Sequence, residues 1–299
     1  MIHGIINVYK EKGFTSHDVV AKLRGIVGQK KIGHTGTLDP DATGVLPVCL
    51  GKATKLCDLL TDKNKTYEAV LLLGKTTDTQ DITGEVLEEK STEALTEEKV
   101  REAIEGFIGD YEQIPPMYSA LKVNGKKLCE LAREGKVIER KARPVKILDI
   151  QILEIDLPKV RMEVSCSKGT YIRTLCHDIG EKLGCGGCME SLIRTRVSTF
   201  RIEDAKMLDE IETLKQEGKL AELLVPIDAM FPSYPKITVK DDWKAFAKNG
   251  NPLDLKMLKE ACGQDEETPV RLYDESGKFI AIYQWKEKKY HIVKMFFNE

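Results

Sequence analysis

Residues 145–183 read VKILDIQILEIDLPKVRMEVSCSKGTYIRTLCHDIGEKL. Val145 to Ile155 and Lys159 to Cys166 alternate with a period of two, with Pro158 near the turn, which predicts two paired strands. The period changes after Cys166. Ile172, Leu175, Cys176, Ile179 and Leu183 recur at helical spacing and Gly184 follows, so Thr170 to Leu183 is expected as a helix. Hairpin-like strand pairs between isolated helices are not a βαβ repeat. They point to an α+β fold.

Outward from this stretch the pattern continues. Gly4 to Tyr9 is a short apolar strand. Thr15 can cap a helix, with Asp18 three residues on as a loose capping box. Val19, Val20, Leu23, Ile26 and Val27 follow at helical spacing, and Gly28 ends the run. Val45 to Leu50 is apolar, Tyr67 to Leu73 reads as a buried strand, and Lys75 to Gly84 reads as a polar loop. Thr96 to Gly106 is an amphipathic helix. Leu192 to Val197 is a further strand, and two helices are expected between Ala205 and Met230. Pro232-Ser233-Tyr234-Pro235 reads as a linker. Beyond it Val270 to Tyr273, Phe279 to Trp285 and Tyr290 to Phe296 read as strands, with a turn at Asp274-Glu275-Ser276-Gly277. No repeat or low-complexity tract interrupts the chain.

The chain has 299 residues, 41% hydrophobic and 31% charged. That suits one large domain with a smaller companion, each with a buried core. No stretch approaches the roughly 20 apolar residues of a membrane span. Met1 to Lys12 lacks the apolar region of a signal peptide, so a cytoplasmic protein with no membrane partner is expected. The eight cysteines are scattered and mostly flanked by apolar residues, as reduced core thiols are.

Net charge is only −2, but it is unevenly spread. Glu85 to Glu112 sets ten acids against three bases, a net −7. Lys122 to Lys146 sets nine bases against three acids, a net +6. Pro115-Pro116 precedes this second run, which reads as a mobile basic arm.

Several catalytic motifs fail. Gly74-Lys75-Thr76 imitates the end of a phosphate loop, but the required earlier glycine is Ala69. There is no HExxH and no GxSxG, and His3, His17, His34, His177 and His291 are far apart. Cys185-Gly186-Gly187-Cys188 is a CxxC with no second pair at zinc spacing, so no metal site is assigned. What remains is the polar loop Gly33-His34-Thr35-Gly36-Thr37-Leu38-Asp39-Pro40-Asp41-Ala42-Thr43-Gly44, set between apolar elements. On composition alone Asp39 and Asp41 are equal candidates within it.

Gly33 to Pro40, with Ala42-Thr43-Gly44, closely resembles the signature loop of the bacterial tRNA pseudouridine-55 synthases. The resemblance runs in order along the chain, from about Ile6 to Ala205. It includes Lys65-Thr66-Tyr67 with Leu73-Gly74 and Thr77-Asp78-Thr79, and Ile114-Pro115-Pro116 with Tyr118-Ser119-Ala120-Leu121-Lys122 and Gly125-Lys126-Lys127. It also includes Cys166-Ser167-Lys168-Gly169-Thr170-Tyr171-Ile172-Arg173 and Leu192-Ile193-Arg194-Thr195-Arg196. Two departures are visible. Lys10 is followed by Glu11, Lys12 and Gly13 where the family has Lys-Pro-x-Gly, and Cys129 stands where an aromatic is usual.

The resemblance implies a mixed, mainly antiparallel sheet flanked by helices. It implies a catalytic domain over residues 1–234, an RNA-gripping insertion at about 114–143, and a small β-rich RNA-binding module resembling a PUA domain over 235–299. It implies an isomerase acting on uridine 55 in the T-arm stem-loop of tRNA, and a monomer. Asp39 would be the essential catalytic residue and Arg173 the cation that keeps it ionised against burial. Tyr67 would stack on the target base, Tyr171 and Leu192 would line the pocket, and His34 would fill the gap left by the extruded base. Lys122, Lys126 and Lys127 would hold phosphates. Isomerisation moves no net electrons and cleaves no phosphate, so no cofactor is expected. An RNA-binding or tRNA-folding protein without turnover is the alternative on the same fold.

Overall fold

The structure is a computed structural model that describes residues 1–123, 125–260 and 262–297. Seven strands carry its central sheet: β1 Gly4–Lys10, β2 Thr43–Leu50, β3 Lys65–Leu73, β4 Gly109–Gln113, β5 Arg143–Asp156, β6 Lys159–Cys166 and β7 Gly187–Val197. Their spatial order is β1-β2-β7-β3-β6-β5-β4, with Ile32–His34 added beside β2 and Phe200–Arg201 beside β7. β2 and β7 run parallel, joined through Ile193 opposite Thr43 and Arg194 opposite Gly44. The other neighbours are antiparallel. The mixed, mainly antiparallel sheet flanked by helices is therefore present, and β5 and β6 pair as their alternation predicts.

Seven α-helices flank the sheets among the described residues: α1 Ser16–Val27, α2 Cys57–Thr61, α3 Glu97–Glu105, α4 Leu128–Arg133, α5 Ile172–Leu183, α6 Leu208–Gln216 and α7 Lys244–Lys248. The ends of α1 show the local chemistry that sets them. The Asp18 amide donates to Thr15 Oγ1 at 3.1 Å, and the Thr15 amide donates to Asp18 Oδ2 at 2.8 Å, so two otherwise orphaned donors are satisfied. Gly28 closes the helix in the left-handed conformation, φ 68°.

Burial follows the strand period. In β3 the side chains of Lys65, Tyr67, Ala69, Leu71 and Leu73 are buried, and the four between them are half-buried. The buried face packs with Ile172, Leu175 and Ile179 of α5 and with Val100 and Ile104 of α3. In β1, Ile6 and Val8 pack with Val19, Val20 and Leu23 of α1 and with Leu208 and Ile211 of α6. Ile5, which points to the opposite face, joins Val45, Cys49, Ile282 and Phe296. Each such aliphatic side chain contributes about 1.5–3 kcal/mol when fully buried.

A second, five-stranded sheet holds β8 Lys236–Val239, β9 Leu258–Glu260, β10 Val270–Tyr273, β11 Phe279–Lys286 and β12 Lys289–Met295, in the order β9-β8-β10-β11-β12. It has its own core, including Ile237, Val270, Leu272, Ile280 and Tyr283.

Some expectations change. The segment read as a polar loop contributes a short strand, Lys75–Thr77, paired with Val86–Glu89. Between Ala205 and Met230 there is one α-helix, α6, followed by two 3-10 turns at Leu220–Leu223 and Ile227–Met230. Pro226 removes a backbone donor just where a second helix would need one. The segment read as a mobile arm is built as a hairpin, Lys122–Val123 with Lys126–Lys127, running into α4. Leu128 anchors it by burial, and the Cys129 amide donates to Ser119 O at 3.0 Å.

Candidate active site

The loop from Thr35 to Ala42 leaves the short strand at His34 and enters β2. Six hydrogen bonds fix its path. The Leu38 amide donates to Ser16 Oγ at 2.9 Å, at the start of α1, and the Ala42 amide donates to Asp39 O at 3.1 Å. The Gly13 amide donates to Pro40 O at 2.9 Å. The Lys10 ammonium, fully buried at the end of β1, donates to Ala42 O at 2.6 Å, Pro40 O at 3.0 Å and Glu11 O at 3.1 Å. Burial lowers the Lys10 pKa to about 8, with Asp39 and Asp41 opposing the shift. The departure from Lys-Pro-x-Gly after Lys10 therefore leaves this clamp intact.

Gly44 is required by a close approach. Its φ is +104°, and a Cβ there would overlap the Arg194 carbonyl oxygen. The parallel contact between β2 and β7 is thus made backbone to backbone. It sets Arg194 under the loop, where Nε donates to Val45 O at 2.7 Å and Nη2 to Gly36 O at 3.3 Å.

The loop presents Asp39 to α5. Arg173 Nε lies 3.1 Å from Asp39 Oδ2, and Arg173 Nη2 lies 3.4 Å from Asp39 Oδ1. The Arg173 side chain is 6% exposed and that of Asp39 is 43% exposed, so the pair has a protein side and an open side. The rest of the guanidinium is also engaged. Nη1 donates to Thr79 O at 3.1 Å and lies 3.5 Å from Asp81 Oδ2, and Nη2 donates to Tyr118 O at 2.8 Å. Desolvation raises the Asp39 pKa above the ordinary aspartate value; Arg173 opposes the shift and Asp81 adds to it. The arginine moderates the effect of burial without reversing it.

Asp41 is placed differently. Its side chain is 56% exposed and meets only the Lys12 ammonium at 4.0 Å among ion-pair partners in the described residues. The two aspartates that composition left equal are separated by geometry.

Of the remaining candidates, Tyr67 and Tyr171 lie near enough to Asp39 to feel its charge. Tyr67 and Leu192 are buried in one cluster with Leu38, Ala42 and Ile172. Tyr67 lies opposite Arg194 across β3 and β7, and Leu192 lies opposite Ala69. Burial pushes the Tyr67 phenol upward and the Arg194 side chain, hydrogen-bonded to it, opposes that. Tyr171 precedes α5 and is held by Gln113 at the end of β4. The Tyr171 amide donates to Gln113 Oε1 at 2.8 Å, and Gln113 Nε2 donates to Tyr171 O at 3.0 Å. His34 is half-buried, edge-on to His17 with ring centroids 5.8 Å apart, and its Nδ1 has no hydrogen-bond partner among the described residues. Burial lowers its pKa, and His17 and Arg194 act in the same direction.

The hairpin carries the three lysines. Lys126 lies 3.7 Å from Glu134 and Lys127 lies 3.9 Å from Glu130, both within the hairpin and its helix. The segment reaches the centre through Tyr118, whose carbonyl accepts from Arg173 and whose hydroxyl lies 3.3 Å from Asp78 Oδ2.

Two residues of this constellation, Asp81 and Gln113, escape a reading of sequence, and Lys10 is visible there only as the lysine of the family's N-terminal motif, without its role as a clamp. Asp81 and Gln113 leave no trace, because each is tied to the centre by contacts to distant strands or helices. The Cys185 and Cys188 thiols are both buried and free. Among the described residues no group of three or more His, Cys, Asp or Glu side chains forms a metal-sized cluster. No helix among them is long and apolar enough to cross a membrane.

Comparison with known proteins agrees with this architecture. The family profile described as "TruB family pseudouridylate synthase (N terminal domain)" matches residues 24–172, and that of the "tRNA pseudouridylate synthase B C-terminal domain" matches residues 173–232. The chain is 58% identical to the tRNA pseudouridine synthase B of Lachnoclostridium phytofermentans, over 99% of this chain and 100% of that protein. It is 44% identical to the protein of the same name from Bacillus pumilus, over 98% of this chain and 96% of that protein. Among solved structures, a Cbf5-Nop10-Gar1 complex contains a chain of 29% identity and TM-score 0.72, covering 98% of this chain and 85% of that one. An H/ACA RNP bound to a substrate RNA containing 2'-deoxyuridine contains one of 26% identity and TM-score 0.72, covering 99% and 85%. With a sheet of this order, an aspartate presented to a buried arginine, and near-full-length identity to these relatives, the chain belongs to the TruB family of pseudouridylate synthases.

Proposed function

We propose that this chain isomerises uridine 55 in the T-loop of tRNA to pseudouridine, with Asp39 as its essential catalytic residue. The observation that carries this reading is the Asp39–Arg173 pair, which joins a loop covered by the N-terminal TruB profile to the first turn of α5, where the C-terminal profile begins. The N1–C1′ bond of the nucleotide breaks, the uracil turns, and C5 joins C1′. C5 loses its hydrogen and N1 gains one, so electrons balance without a redox partner. The reacting bond is inaccessible in a stacked loop, and extruding the base costs a few kcal/mol. Stacking on an aromatic face returns about 1–3 kcal/mol per base.

In this reading Tyr67 supplies that face, Tyr171 and Leu192 line the pocket, and His34 occupies the space the base vacates. The upward shift of the Tyr67 phenol keeps it protonated and uncharged beside the uracil. Arg173 holds the Asp39 carboxylate in place and offsets part of its desolvation. Lys122, Lys126 and Lys127 contact the RNA backbone from the hairpin, and residues 114–143 act as the gripping insertion. Residues 1–234 form the catalytic domain and 235–299 an RNA-binding module, in a monomeric cytoplasmic enzyme whose substrate is the T-arm stem-loop.

The test is conversion of an unmodified tRNA transcript. One T-loop uridine becomes pseudouridine, and a transcript with that position changed to cytidine gains none. Tight RNA binding without any conversion would instead favour a folding factor on the same scaffold.

A further inference from the structure

Cys49 and Cys57 stand on either side of the turn that ends β2. Cys49 is fully buried in that strand, and Cys57 is half-buried at the start of α2. Between them runs the 3-10 turn Gly51–Leu56. The Gly51 amide donates to Lys31 O at 2.8 Å and the Cys57 amide donates to Thr54 O, so the turn folds back toward the short strand Ile32–His34. Gly33 of that strand lies directly opposite Cys49. A Cβ built on Gly33 would lie 3.1 Å from Cys57 Sγ. Directly opposed residues of an antiparallel pair project to the same face, with Cβ atoms about 4.5–5.5 Å apart. Cys57 Sγ therefore stands where the missing side chain of Gly33 would point, as the cross-strand neighbour of Cys49.

The two thiols hydrogen-bond to each other, and the bond makes them unequal. Cys49 donates to Cys57 and holds that thiol below its ordinary value, against the effect of burial. The same bond, with burial added, pushes the Cys49 thiol up. Cys57 is thus the sulfur that ionises, and the thiolate is the nucleophile of thiol chemistry. The remaining cysteines are placed differently. Cys166, Cys176 and Cys188 are buried, and burial raises each of them. Cys262 is as half-buried as Cys57, yet burial raises it, and its thiol donates to Lys236 O at 3.3 Å.

We infer that Cys57 and Cys49 form a reversible oxidation site, at which a hydroperoxide converts the two thiols into a disulfide. The site is separate from the isomerisation, which calls on neither sulfur. The Cys57 thiolate attacks one oxygen of hydrogen peroxide. The O–O bond breaks, hydroxide leaves and takes up the thiol's proton as water, and Cys57 becomes a sulfenic acid. The Cys49 sulfur then attacks the Cys57 sulfur. The S–O bond breaks, a second water leaves with the Cys49 proton, and the S–S bond forms. Two thiols lose two electrons in all, and the peroxide gains them. The buried partner gives the oxidation an end point, because a disulfide is restored by thiols whereas further oxidation to the sulfinic acid is not.

The experiment exposes the reduced, folded full chain to hydrogen peroxide, quenches with an alkylating agent, and maps tryptic peptides by mass without reduction. Cleavage after Lys31, Lys52, Lys55 and Lys63 separates peptide 32–52, which holds Cys49, from peptide 56–63, which holds Cys57. The two are expected to appear joined, two hydrogens lighter than their sum, and to part on treatment with a dithiol. Cys57 should be consumed at least about fivefold faster than Cys129 or Cys262, which are exposed to a similar degree. In Cys49→Ala, Cys57 should instead gain two oxygens as the sulfinic acid and resist the dithiol; in Cys57→Ala, Cys49 should stay reduced. Failure of the joined peptides to form in wild type while Cys129 or Cys262 is oxidised overturns the proposal, as does sulfinic acid at Cys57 forming equally fast with and without Cys49. The wild-type map decides the matter even if either variant fails to fold.

Discussion

Arg173 Nε lies 3.1 Å from Asp39 Oδ2, although 134 residues separate the two in sequence. The relation exists because β7 brings β2 and β3 together and α5 packs across the buried face of β3. The first consequence concerns which aspartate reacts. Asp39→Asn is expected to lower pseudouridine formation by at least about 10³-fold while RNA binding persists. Asp41→Asn, altering an exposed side chain, retains most activity. Loss confined to Asp41→Asn in a single-turnover assay on tRNA transcript would reverse the assignment.

The pH profile follows from the same group. Desolvation sets the Asp39 carboxyl above the ordinary aspartate value, so activity falls as pH drops through that raised pKa. Arg173 lowers this pKa and Asp81 raises it. Arg173→Gln should move the acid limb of kcat to higher pH, and Asp81→Asn should move it to lower pH. Shifts of the same sign in both variants would contradict the electrostatic account.

Lys10 holds the loop through three carbonyl oxygens. Lys10→Met leaves the buried Ala42 carbonyl without this donor, at a cost of about 1–3 kcal/mol for a group left unsatisfied, while the Pro40 carbonyl keeps the Gly13 amide. A displaced Asp39 is expected to cost about 10²-fold in kcat with a smaller change in KM. Amide exchange across 36–42 should quicken. Unaltered exchange there would show that Lys10 does not position the loop.

On the hairpin, Lys126→Gln/Lys127→Gln is expected to weaken tRNA binding and flatten its log–log salt slope by about 1–2. Glu134 and Glu130 already screen these lysines, so the effect belongs at the lower end of that range. A steeper slope in the double variant would remove the hairpin from the phosphate contacts.

Gly44→Ala tests the backbone contact between β2 and β7. The added methyl meets the Arg194 carbonyl in a conformation that alanine rarely adopts. A loss of about 3 kcal/mol or more is expected in denaturant unfolding. A stable, active Gly44→Ala would mean that the two strands can separate without harm.

The legible parts of this molecule are those written locally. Thr15 with Asp18 marks one helix start and Gly28 its end, since capping uses neighbours in sequence. The alternation through β5 and β6 gives their pairing because one face is buried. Asp81 was indistinct because it becomes special only when its loop docks beside Met189 of β7 and Arg173. Gln113 likewise acts through Tyr171, 58 residues away. Between Ala205 and Met230 leucine spacing alone does not separate a second α-helix from successive 3-10 turns. Asp39 becomes distinct from Asp41 through the family resemblance, and the structure adds the reason: one meets the buried Arg173 guanidinium, and the other is exposed beside Lys12.

The two-sided character of β1 has an outcome for the size of the working molecule. Ile5 and its companions Val45 and Cys49 are kept dry by Ile282 and Phe296. Stopping the polypeptide near Pro235 would uncover that greasy seam even with every residue around Asp39 retained. The shortened product should clump on expression, so the C-terminal portion is a lid over the catalytic sheet as well as whatever else it touches.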